Sequence, residues 1–373
     1  MTRRVLVTGG AGFIGTELVE RLVTGGATVT VLDDLSGATP ERARAWLGGD
    51  GPAGDATFVR GDITDLAALS EVMDGVSEVI HLAANTDIAG GFADPRLDLD
   101  GCILGTWNVA EAMRRQGVTR IAYASSGVVY GQPSRVPTEE SYGPLRPASH
   151  YAAGKLAGEA ILSGFAHLYG WQAQAFRFGN TVGAGSDHGV VHDLVVKSLR
   201  DPGSLELLGD GRQAKPYIAV EDVADAVVHA MEHGPATAFE VYNVATEGTL
   251  TVLQVAELVL RALGRDPRTV DIRPLGGSGG WPGDTPIVDF DTSRLRALGW
   301  SPVHSPEAAV ARAAAGTRDR LLAAGGPLLT AVERRATQTA GSAQTAGTGS
   351  TGSTEADDSV RTAVVAGWPV EAR

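Results

Sequence analysis

The chain has 373 residues, a formal net charge of −13 and a single cysteine, Cys102. The negative charge and the lack of any Lys or Arg run argue against a nucleic-acid partner, and no stretch reaches the ~20 apolar residues that a membrane span needs. One cysteine excludes an internal disulfide and a cysteine-based metal site, which is typical of a reducing compartment, and we interpret Cys102 as a small buried hydrophobe. We therefore expect a cytoplasmic protein with neither nucleic-acid nor membrane partners.

Short β-branched segments alternate with longer amphipathic segments over the first half of the chain. The predicted strands are RVLVT (4–8), TVTVLD (28–33), TFVRGD (57–62), EVIHLAA (78–84), RIAYASS (120–126) and QAQAFRF (172–178). Helical patterns separate most of them, as at residues 13–26 and 104–117. Strands buried on both faces and joined by helices indicate a parallel sheet. The predicted fold class is α/β, with a doubly wound parallel (Rossmann) sheet over residues 1–178.

The pattern of predicted elements changes after Phe178, where Gly-rich loops alternate with isolated strands and short helices. The helical segments read VVHDLVVKSL, VEDVADAVVHAME, TVLQVAELVLRAL and TSRLRALG. Residues 179–324 are predicted to form mainly a smaller C-terminal substrate-binding cap, with some segments returning to the sheet. Residues 325–373 are rich in Gly, Ser, Thr and Ala with little to bury, which predicts a disordered tail.

A glycine-rich turn lies between the first strand and the first helix. VLVTGGAGFIGTELVERL places Gly9, Gly12 and Gly15 where backbone N–H groups at a helix N-terminus can approach a pyrophosphate. The second strand ends at Asp33, whose carboxylate can accept both hydroxyls of an adenosine ribose. The same carboxylate would repel a 2′-phosphate. The predicted cofactor is therefore NAD, not NADP.

Two later strand ends fit the same dinucleotide. RGDITD places Asp62 after the third strand, near an adenine amino group, and HLAAN leaves two small alanines after the fourth. Open α/β sheets bind ligands along the carboxyl ends of consecutive strands. The predicted cofactor-binding residues are Gly9, Gly12, Phe13, Ile14, Gly15, Asp33, Asp34, Asp62, Ile63, Ala83, Ala84, Tyr151 and Lys155.

The stretch HYAAGK places a tyrosine four residues before a lysine in a chain with only three lysines. Together with the glycine turn and SSGVVYG, this YxxxK pattern resembles the extended short-chain dehydrogenase/reductase superfamily. Within it the chain is most similar to the NAD-dependent nucleotide-sugar epimerases and dehydratases of the UDP-glucose 4-epimerase type. The resemblance covers roughly residues 3–320. It implies a catalytic triad of Ser126, Tyr151 and Lys155.

The chemistry of these three side chains fits acid–base catalysis on a sugar hydroxyl. To act as a base near pH 7, a phenol with a pKa near 10 needs that pKa lowered by roughly three units, which requires about 4 kcal/mol of stabilisation of its anion. An ammonium one helical turn away, at Lys155, and the positive nicotinamide of bound NAD would supply that stabilisation. Lys155 can also hold the nicotinamide ribose. Ser126 would bind the same substrate oxygen as Tyr151.

The residues that follow Ser126 narrow the reaction that the resemblance implies. Dehydratases carry an Asp-Glu pair there and related decarboxylases a glutamate, whereas this chain has Gly127 and Val128, which cannot transfer protons. Oxidation and re-reduction at the sugar C4 remain, which is the 4-epimerase reaction. The open alternatives are a UDP-uronate, a UDP-N-acetylhexosamine or a GDP-sugar as substrate. A non-catalytic NAD-binding sensor or scaffold is a further alternative, although it would not need the triad.

Resemblance in the second half of the chain implies further contacts with a nucleotide sugar. Lys215 falls where the family has a phosphate-binding arginine, whereas Trp281 replaces another arginine of the family pattern. A side chain as small as Val288 near the sugar pocket would admit a bulky 2-substituent. The predicted substrate-binding residues are Ser126, Tyr151, Asn180, Lys215, Tyr217 and Asp284.

No metal site is predicted, because His81, His188 and His192 lack metal-ligand spacing with carboxylates. We interpret these histidines as structural or loop residues. The resemblance also implies a homodimer, formed by the helices after DLDGCILGTW and from Tyr151 onward.

Overall fold

The computed structural model describes residues 3–48, 56–277 and 285–323. The predicted tail at 325–373 and the predicted contacts of Trp281 and Asp284 lie outside the described residues. Of the residues described, those up to Thr317 form one unit, and residues 318–323 belong to a second. In the described ranges no helix is long and apolar enough to cross a membrane.

Helices and strands alternate along the chain as the sequence predicts. The strands are β1 (Arg4–Thr8), β2 (Thr28–Asp33), β3 (Ala56–Arg60), β4 (Glu78–His81), β5 (Arg120–Ser126), β6 (Gln172–Phe178), β7 (Asn180–Val182), β8 (Ser204–Leu207), β9 (Ala214–Lys215), β10 (Tyr217–Ala219), β11 (Phe239–Val244), β12 (Leu250–Thr251) and β13 (Asp271–Pro274). The α-helices are α1 (Phe13–Thr24), α2 (Pro40–Gly48), α3 (Leu66–Val72), α4 (Ile88–Ala93), α5 (Arg96–Asp98), α6 (Gly105–Gln116), α7 (His150–Tyr169), α8 (Val190–Arg200), α9 (Val220–His233), α10 (Val252–Ala262), α11 (Ser293–Ala297) and α12 (Pro306–Ala323). A π-helical segment, Leu99–Leu104, joins α5 to α6, and 3₁₀ turns lie at Gly127–Tyr130 and Pro267–Thr269.

The central sheet has seven parallel strands in the order β3-β2-β1-β4-β5-β6-β11. Strand order reverses between β1 and β4, the switch point at which doubly wound sheets bind ligands. The predicted fold class is confirmed.

Alternate side chains of the strands pack on opposite faces of this sheet, because strand side chains have a period of two residues. Val5 and Val7 of β1 face one hydrophobic cluster, which α1 and α9 cover. Leu6 faces a second cluster, formed with α3, α6 and α7. Both faces are therefore buried, which explains the nearly continuous apolar strands.

One segment of the second half of the chain returns to the sheet. Strand β11 pairs with β6, and α9 packs against α1. Three two-stranded sheets, β7 with β10, β9 with β12 and β8 with β13, lie outside the central sheet. The division at residue 178 into a cofactor domain and a cap stays a prediction.

Candidate active site

The turn after β1 is shaped for a close approach of backbone to ligand. Gly9 has φ +71°, and a Cβ there would lie 2.6 Å from the backbone nitrogen of Ala83. A Cβ at Gly15 would collide with the carbonyl oxygen of Gly9, so α1 can pack against the turn only without a side chain there. Gly12 precedes α1, and the first N–H groups of a helix, here those of Phe13 and Ile14, have no intrahelical acceptor. These groups form a cradle for an anion such as a pyrophosphate.

Asp33 stands at the end of β2 beside this turn and is 8% exposed. Its Oδ2 accepts a hydrogen bond from Ala11 N at 2.9 Å, and its Oδ1 accepts one from Leu35 N at 2.7 Å. Burial raises the pKa of this carboxyl, and the two backbone donors oppose that rise. A carboxylate is an acceptor only, so it is suited to the two hydroxyl donors of a ribose. The neighbouring Asp34 is exposed and accepts from Ser36 N at 2.8 Å.

The glycine-rich turn fits the diphosphate of an adenosine diphosphate, and the buried carboxylate of Asp33 fits its ribose. The residues present therefore fit NAD. Asp62 is exposed and accepts a hydrogen bond from Thr64 N at 2.8 Å. The side chain of Ile63 packs against Gly105, so its backbone is the part left to meet a dinucleotide. Ala83 and Ala84 follow β4 at the switch point and are partly buried.

We expect the protein to bind NAD at least 100-fold more tightly than NADP, because Asp33 would face the 2′-phosphate at close range. Replacing Asp33 by Ser should narrow that ratio by at least tenfold, because NADP no longer meets a like charge and NAD loses the charged acceptor for its ribose hydroxyls. Calorimetric titration of both dinucleotides measures it, with Asp74→Ser, an exposed carboxylate after α3, as the control. Equal affinities of the unmodified protein for the two dinucleotides would contradict this assignment.

The three predicted catalytic side chains meet where β5 ends and α7 begins. Ser126 is the last residue of β5, and Tyr151 and Lys155 lie one turn apart on α7. Helix α7 begins here because Ser149 caps it, accepting a hydrogen bond from Ala152 N at 3.1 Å. The Lys155 side chain is 3% exposed, and its Nζ lies 5.8 Å from the centroid of the Tyr151 ring.

Two neighbouring serines end β5, and their hydroxyls have different environments. Ser125 is buried, and its Oγ donates to Glu159 Oε1 at 2.6 Å. Ser126 is partly exposed, lines a cavity, and accepts a long hydrogen bond of 3.4 Å from Val128 N. The structure thus leaves Ser126 as the hydroxyl that can meet a substrate.

Burial raises the pKa of the Tyr151 phenol above its usual value, and the charges of Cys102 and Asp98 raise it further. A hydrogen bond with Ser126 acts in the opposite direction. Burial also lowers the pKa of Lys155. The lowered phenol pKa, expected from Lys155 together with bound NAD, is therefore not a property of the chain alone, because burial, Cys102 and Asp98 outweigh the hydrogen bond with Ser126. A further positive charge, such as that of bound NAD, has to provide the rest.

A cavity opens beside Ser126 and brings several predicted substrate residues together. It is lined by Ser126, Gly127, Val128, Ala148, Ser149, Ala152, Phe178, Gly179, Asn180, Lys215, Thr285, Val288 and Phe290. Asn180, Lys215 and Val288 were predicted near the sugar nucleotide. Tyr217 is 1% exposed and does not line this cavity.

Phe290 is a cavity residue that sequence reasoning missed. Its ring occupies the space beside Gly127, where any Cβ would collide with it. The ring is 5% exposed and lies 5.6 Å, centroid to centroid, from that of Tyr130. No local motif marks Phe290, because the contact joins positions 163 residues apart (290 − 127).

His81 is fully buried at the switch point between two hydroxyls. Its Nδ1 lies 2.7 Å from Thr8 Oγ1 and its Nε2 3.1 Å from Thr106 Oγ1, which itself donates to the carbonyl oxygen of Cys102. Thr106 must then accept from Nε2, so Nε2 carries a proton. Burial lowers the pKa of His81 to about 3, which keeps the ring neutral.

Cys102 is buried, as predicted. Within the parts of the chain that the structure describes, no group of three or more His, Cys, Asp or Glu could hold a metal ion.

Fold, glycine cradle and Ser-Tyr-Lys arrangement together define an NAD-binding enzyme of the short-chain dehydrogenase/reductase type. The NAD-dependent epimerase/dehydratase family model matches residues 5–245. The chain belongs to this family. The predictions of NAD as the cofactor and of an NAD-dependent epimerase are thereby confirmed.

Relatives of the chain include several 4-epimerases, and also a dTDP-glucose 4,6-dehydratase of Mycolicibacterium smegmatis that is 30% identical over 81% of this chain and 89% of its own length. A UDP-glucose 4-epimerase of Mycolicibacterium smegmatis is 35% identical over 80% of this chain and 93% of its own length. The Thermus thermophilus UDP-glucose 4-epimerase, solved with NAD, is 31% identical over 84% of this chain and 99% of that one, with a TM-score of 0.73. A UDP-N-acetylglucosamine 4-epimerase from Methanobrevibacter ruminantium M1 is 26% identical over 86% of this chain and 99% of that one, with a TM-score of 0.74.

Proposed function

We propose that this protein interconverts the C4 epimers of a UDP-hexose, of the UDP-glucose and UDP-galactose type. The observation that carries this proposal is the meeting of Ser126, Tyr151 and Lys155 where β5 ends and α7 begins. Ser126 lines a cavity together with Gly127 and Val128, which have no group that transfers protons. The named relatives at about 30% identity support the UDP-sugar class.

Tyr151 and Ser126 are the groups that handle the substrate O4. The phenolate of Tyr151 takes the proton from O4 as the C4 carbon is oxidised, and the phenol returns it when C4 is reduced. Ser126 donates a hydrogen bond to the same oxygen, which holds it beside the phenol. NAD held by the glycine-rich turn and Asp33 would supply the redox chemistry, as acceptor and donor of the C4 hydride.

Lys155 has two tasks in this scheme. Its Nζ donates one hydrogen bond to Ala124 O at 2.7 Å, which anchors the ammonium to β5. Two N–H groups remain for other acceptors, such as the hydroxyls of a nicotinamide ribose. Its positive charge also favours the phenolate form of Tyr151.

Inversion at C4 requires the oxidised sugar to present its other face to the cofactor. Asn180 and Lys215 line the cavity beside Ser126, and Lys215 supplies a cation for the diphosphate. Phe290 fills the space beside Gly127, which leaves no room there for an acid that would move protons at C5 or C6. The sugar therefore returns to the hexose instead of losing water.

A UDP-N-acetylhexosamine is a second candidate substrate, because Val288 lines the cavity and leaves more room than a larger side chain would. The structural similarity to a UDP-N-acetylglucosamine 4-epimerase supports including it. A UDP-uronate has comparable support, because MoeE5, solved in complex with UDP-glucuronic acid and NAD, is 27% identical over 85% of this chain with a TM-score of 0.74. GDP-sugars have no such observation in their favour. A scaffold without catalysis would not need Ser126, Tyr151 and Lys155 together.

The substrate assignment is tested by incubating the purified protein with NAD and a panel of UDP-, GDP- and dTDP-sugars, and following C4 epimers by NMR. We expect UDP-galactose and UDP-glucose to interconvert, with UDP-N-acetylgalactosamine as the next substrate to react. Conversion of GDP- or dTDP-sugars alone would overturn the nucleotide assignment. Failure to epimerise any sugar of the panel would overturn the function.

A largely apolar surface on α7 and the segments beside it supports the homodimer; the exposed charges of α6, Arg114 and Arg115, lie in its last turn. The exposed residues of α7 between Tyr151 and Leu168 include Ala153, Ala160 and Gly164, and its two charged residues there, Lys155 and Glu159, are buried. Leu168 on α7 is a large exposed apolar side chain, and the neighbouring segments add others: Phe92, Leu97, Leu104 and Trp107. Exposed apolar surface of this extent is typical of an interface. We propose that a second copy of the chain covers it.

We expect a dimer at micromolar concentration in sedimentation and a monomer for Leu104→Glu, because a carboxylate would be buried without a partner at the interface. Leu253→Glu in α10 is the matched control, since Leu253 is 41% exposed and Leu104 is 43% exposed. A monomeric wild-type protein, or a dimer that Leu104→Glu leaves intact, would contradict the interface.

The cytoplasm is the compartment that we propose, because Cys102, the only cysteine, is an unpaired thiol. Cell fractionation of the native host tests this placement, and recovery from an oxidising compartment would contradict it.

A further inference from the structure

Three consecutive residues of β5, directly before Ser126, are hydrogen-bonded to α7. The hydroxyl of Tyr123 donates to Lys155 O at 3.4 Å, and Lys155 Nζ donates to Ala124 O at 2.7 Å. Ser125 Oγ donates to Glu159 Oε1 at 2.6 Å. The strand that ends in the catalytic serine and the helix that carries the catalytic tyrosine are thus linked over one helical turn.

Arg177 of β6 completes the last of these links. Its Nε and Nη2 donate to the two carboxylate oxygens of Glu159 at 2.9 and 2.7 Å, and its Nη1 donates to Glu140 O at 3.2 Å. Ser125 and Arg177 are direct partners in the β5–β6 pairing. The guanidinium also lies 4.7 Å from the ring centroid of Tyr130.

Stability alone is a poor explanation for this buried ion pair. Glu159 is 4% exposed and Arg177 3% exposed, so both charges have lost their hydration. Well-packed apolar residues of similar volume are often as stabilising as such a pair, or more so. What a bidentate pair adds is directional geometry. These contacts are therefore better explained by the position in which they hold α7.

The closest approaches between α7 and its neighbours are at two glycines of the helix. A Cβ at Gly158 would collide with the Tyr123 hydroxyl, and one at Gly154 would lie 2.7 Å from Cys102 Cβ. These glycines let the helix approach closely, and Leu162, Phe165 and Ala166 of α7 pack into the second hydrophobic cluster. The polar contacts add directional restraints on the register at the turn from Lys155 to Glu159, next to Tyr151. A slip of one residue would move Tyr151 by about 1.5 Å and turn it by about 100°.

We propose that Ser125, Glu159 and Arg177 are positioning residues that fix the register of α7 on β5, and with it the distance between the hydroxyls of Ser126 and Tyr151. The inference adds to the proposed epimerase function, and its activity assay rests on that function. Catalytic groups need placement within about 0.5 Å, and a 1 Å error costs on the order of 100-fold in rate.

Ser125→Ala is the most informative variant, because it removes one hydrogen bond from Glu159 and leaves the ion pair with Arg177 intact. Glu159→Gln is the stronger change, although it leaves a buried cation poorly paired and requires a parallel measurement of thermal stability. For Ser125→Ala we expect kcat to fall about tenfold with KM for the UDP-sugar unchanged. Ser198→Ala in α8 is the control for removal of a buried hydroxyl, since Ser198 is fully buried and its Oγ has no hydrogen-bond partner among the described residues.

The pH profile separates positioning from general weakening of the fold. Because the Ser126 hydrogen bond lowers the pKa of Tyr151, a longer contact should shift the acidic limb of the kcat profile of Ser125→Ala to higher pH. Wild-type kcat, or a lower kcat with an unshifted limb, would overturn the proposal.

Crystal structures of the wild type and Ser125→Ala test the same inference without any substrate. We expect the distance between Ser126 Oγ and Tyr151 Oη to be longer by about 0.5 Å or more in the variant. An unchanged distance between these two oxygens would contradict the positioning role even if the protein is an active epimerase. Inactivity on every sugar would contradict the proposed function and leave this structural comparison valid.

Discussion

Tyr151→Phe should lower kcat for C4 epimerisation by 10²–10⁴-fold, the range that a general acid–base group contributes. The substitution keeps the partly buried ring and removes only the hydroxyl that exchanges a proton with O4. The affinity for the UDP-sugar should change little, because the lost interaction acts mainly in the transition state. Steady-state kinetics and calorimetric titration of the same preparation give the two quantities.

Tyr169→Phe is the matched control for this loss. Tyr169 ends the same helix, α7, and its side chain is 50% exposed, so we expect wild-type kcat. Tyr151→Phe with near-normal turnover would remove the phenol from the mechanism, whatever the fold.

Lys155→Met should lower kcat by 100-fold or more and weaken NAD binding as well. Methionine fills a similar volume in this buried position but supplies neither the positive charge beside Tyr151 nor donors for a ribose. The hydrogen bond to Ala124 O is also lost, so the variant tests charge and anchoring together. Kinetics and NAD titration should therefore both change, in contrast to Tyr151→Phe.

Lys197→Met in α8 controls for the removal of a shielded lysine. Its Nζ also donates to a backbone carbonyl, Glu206 O, at 3.1 Å, and burial lowers the pKa of Lys197 as it does that of Lys155. We expect this control to bind NAD and turn over normally. Unchanged NAD affinity in Lys155→Met would contradict the ribose contact.

Features that depend on local pattern could be predicted from the sequence. Strands β1, β2, β5 and β6 have the predicted bounds, because β-branched runs and the adjoining turns are local signals. Gly9, Asp33 and Tyr151 could be proposed as site residues for a similar reason, since each lies at a fixed spacing from the element that holds it. The predicted fourth strand was longer than β4, which ends at His81 because the chain turns there to form the switch point.

Features that depend on distant partners could not be predicted. Strand β11 joins the sheet by pairing with β6, which is distant in sequence, and nothing in the six residues of β11 identifies that partner. The ion pair of Glu159 with Arg177 and the contact of Phe290 with Gly127 have the same origin. A lowered pKa of Tyr151 was expected from Lys155 together with bound NAD, whereas in the chain alone burial, a property of the whole fold, raises it.

Transfer of the C4 hydrogen within one sugar molecule is the central claim, and isotope retention tests it most directly. UDP-galactose carrying deuterium at C4 is incubated with the enzyme in ordinary water, and the UDP-glucose formed is examined by NMR and mass spectrometry. We expect deuterium to be retained at C4, because hydride leaves to the bound cofactor and returns from it without meeting solvent. Replacement of the deuterium by hydrogen from water would contradict a hydride transfer governed by Ser126, Tyr151 and Lys155.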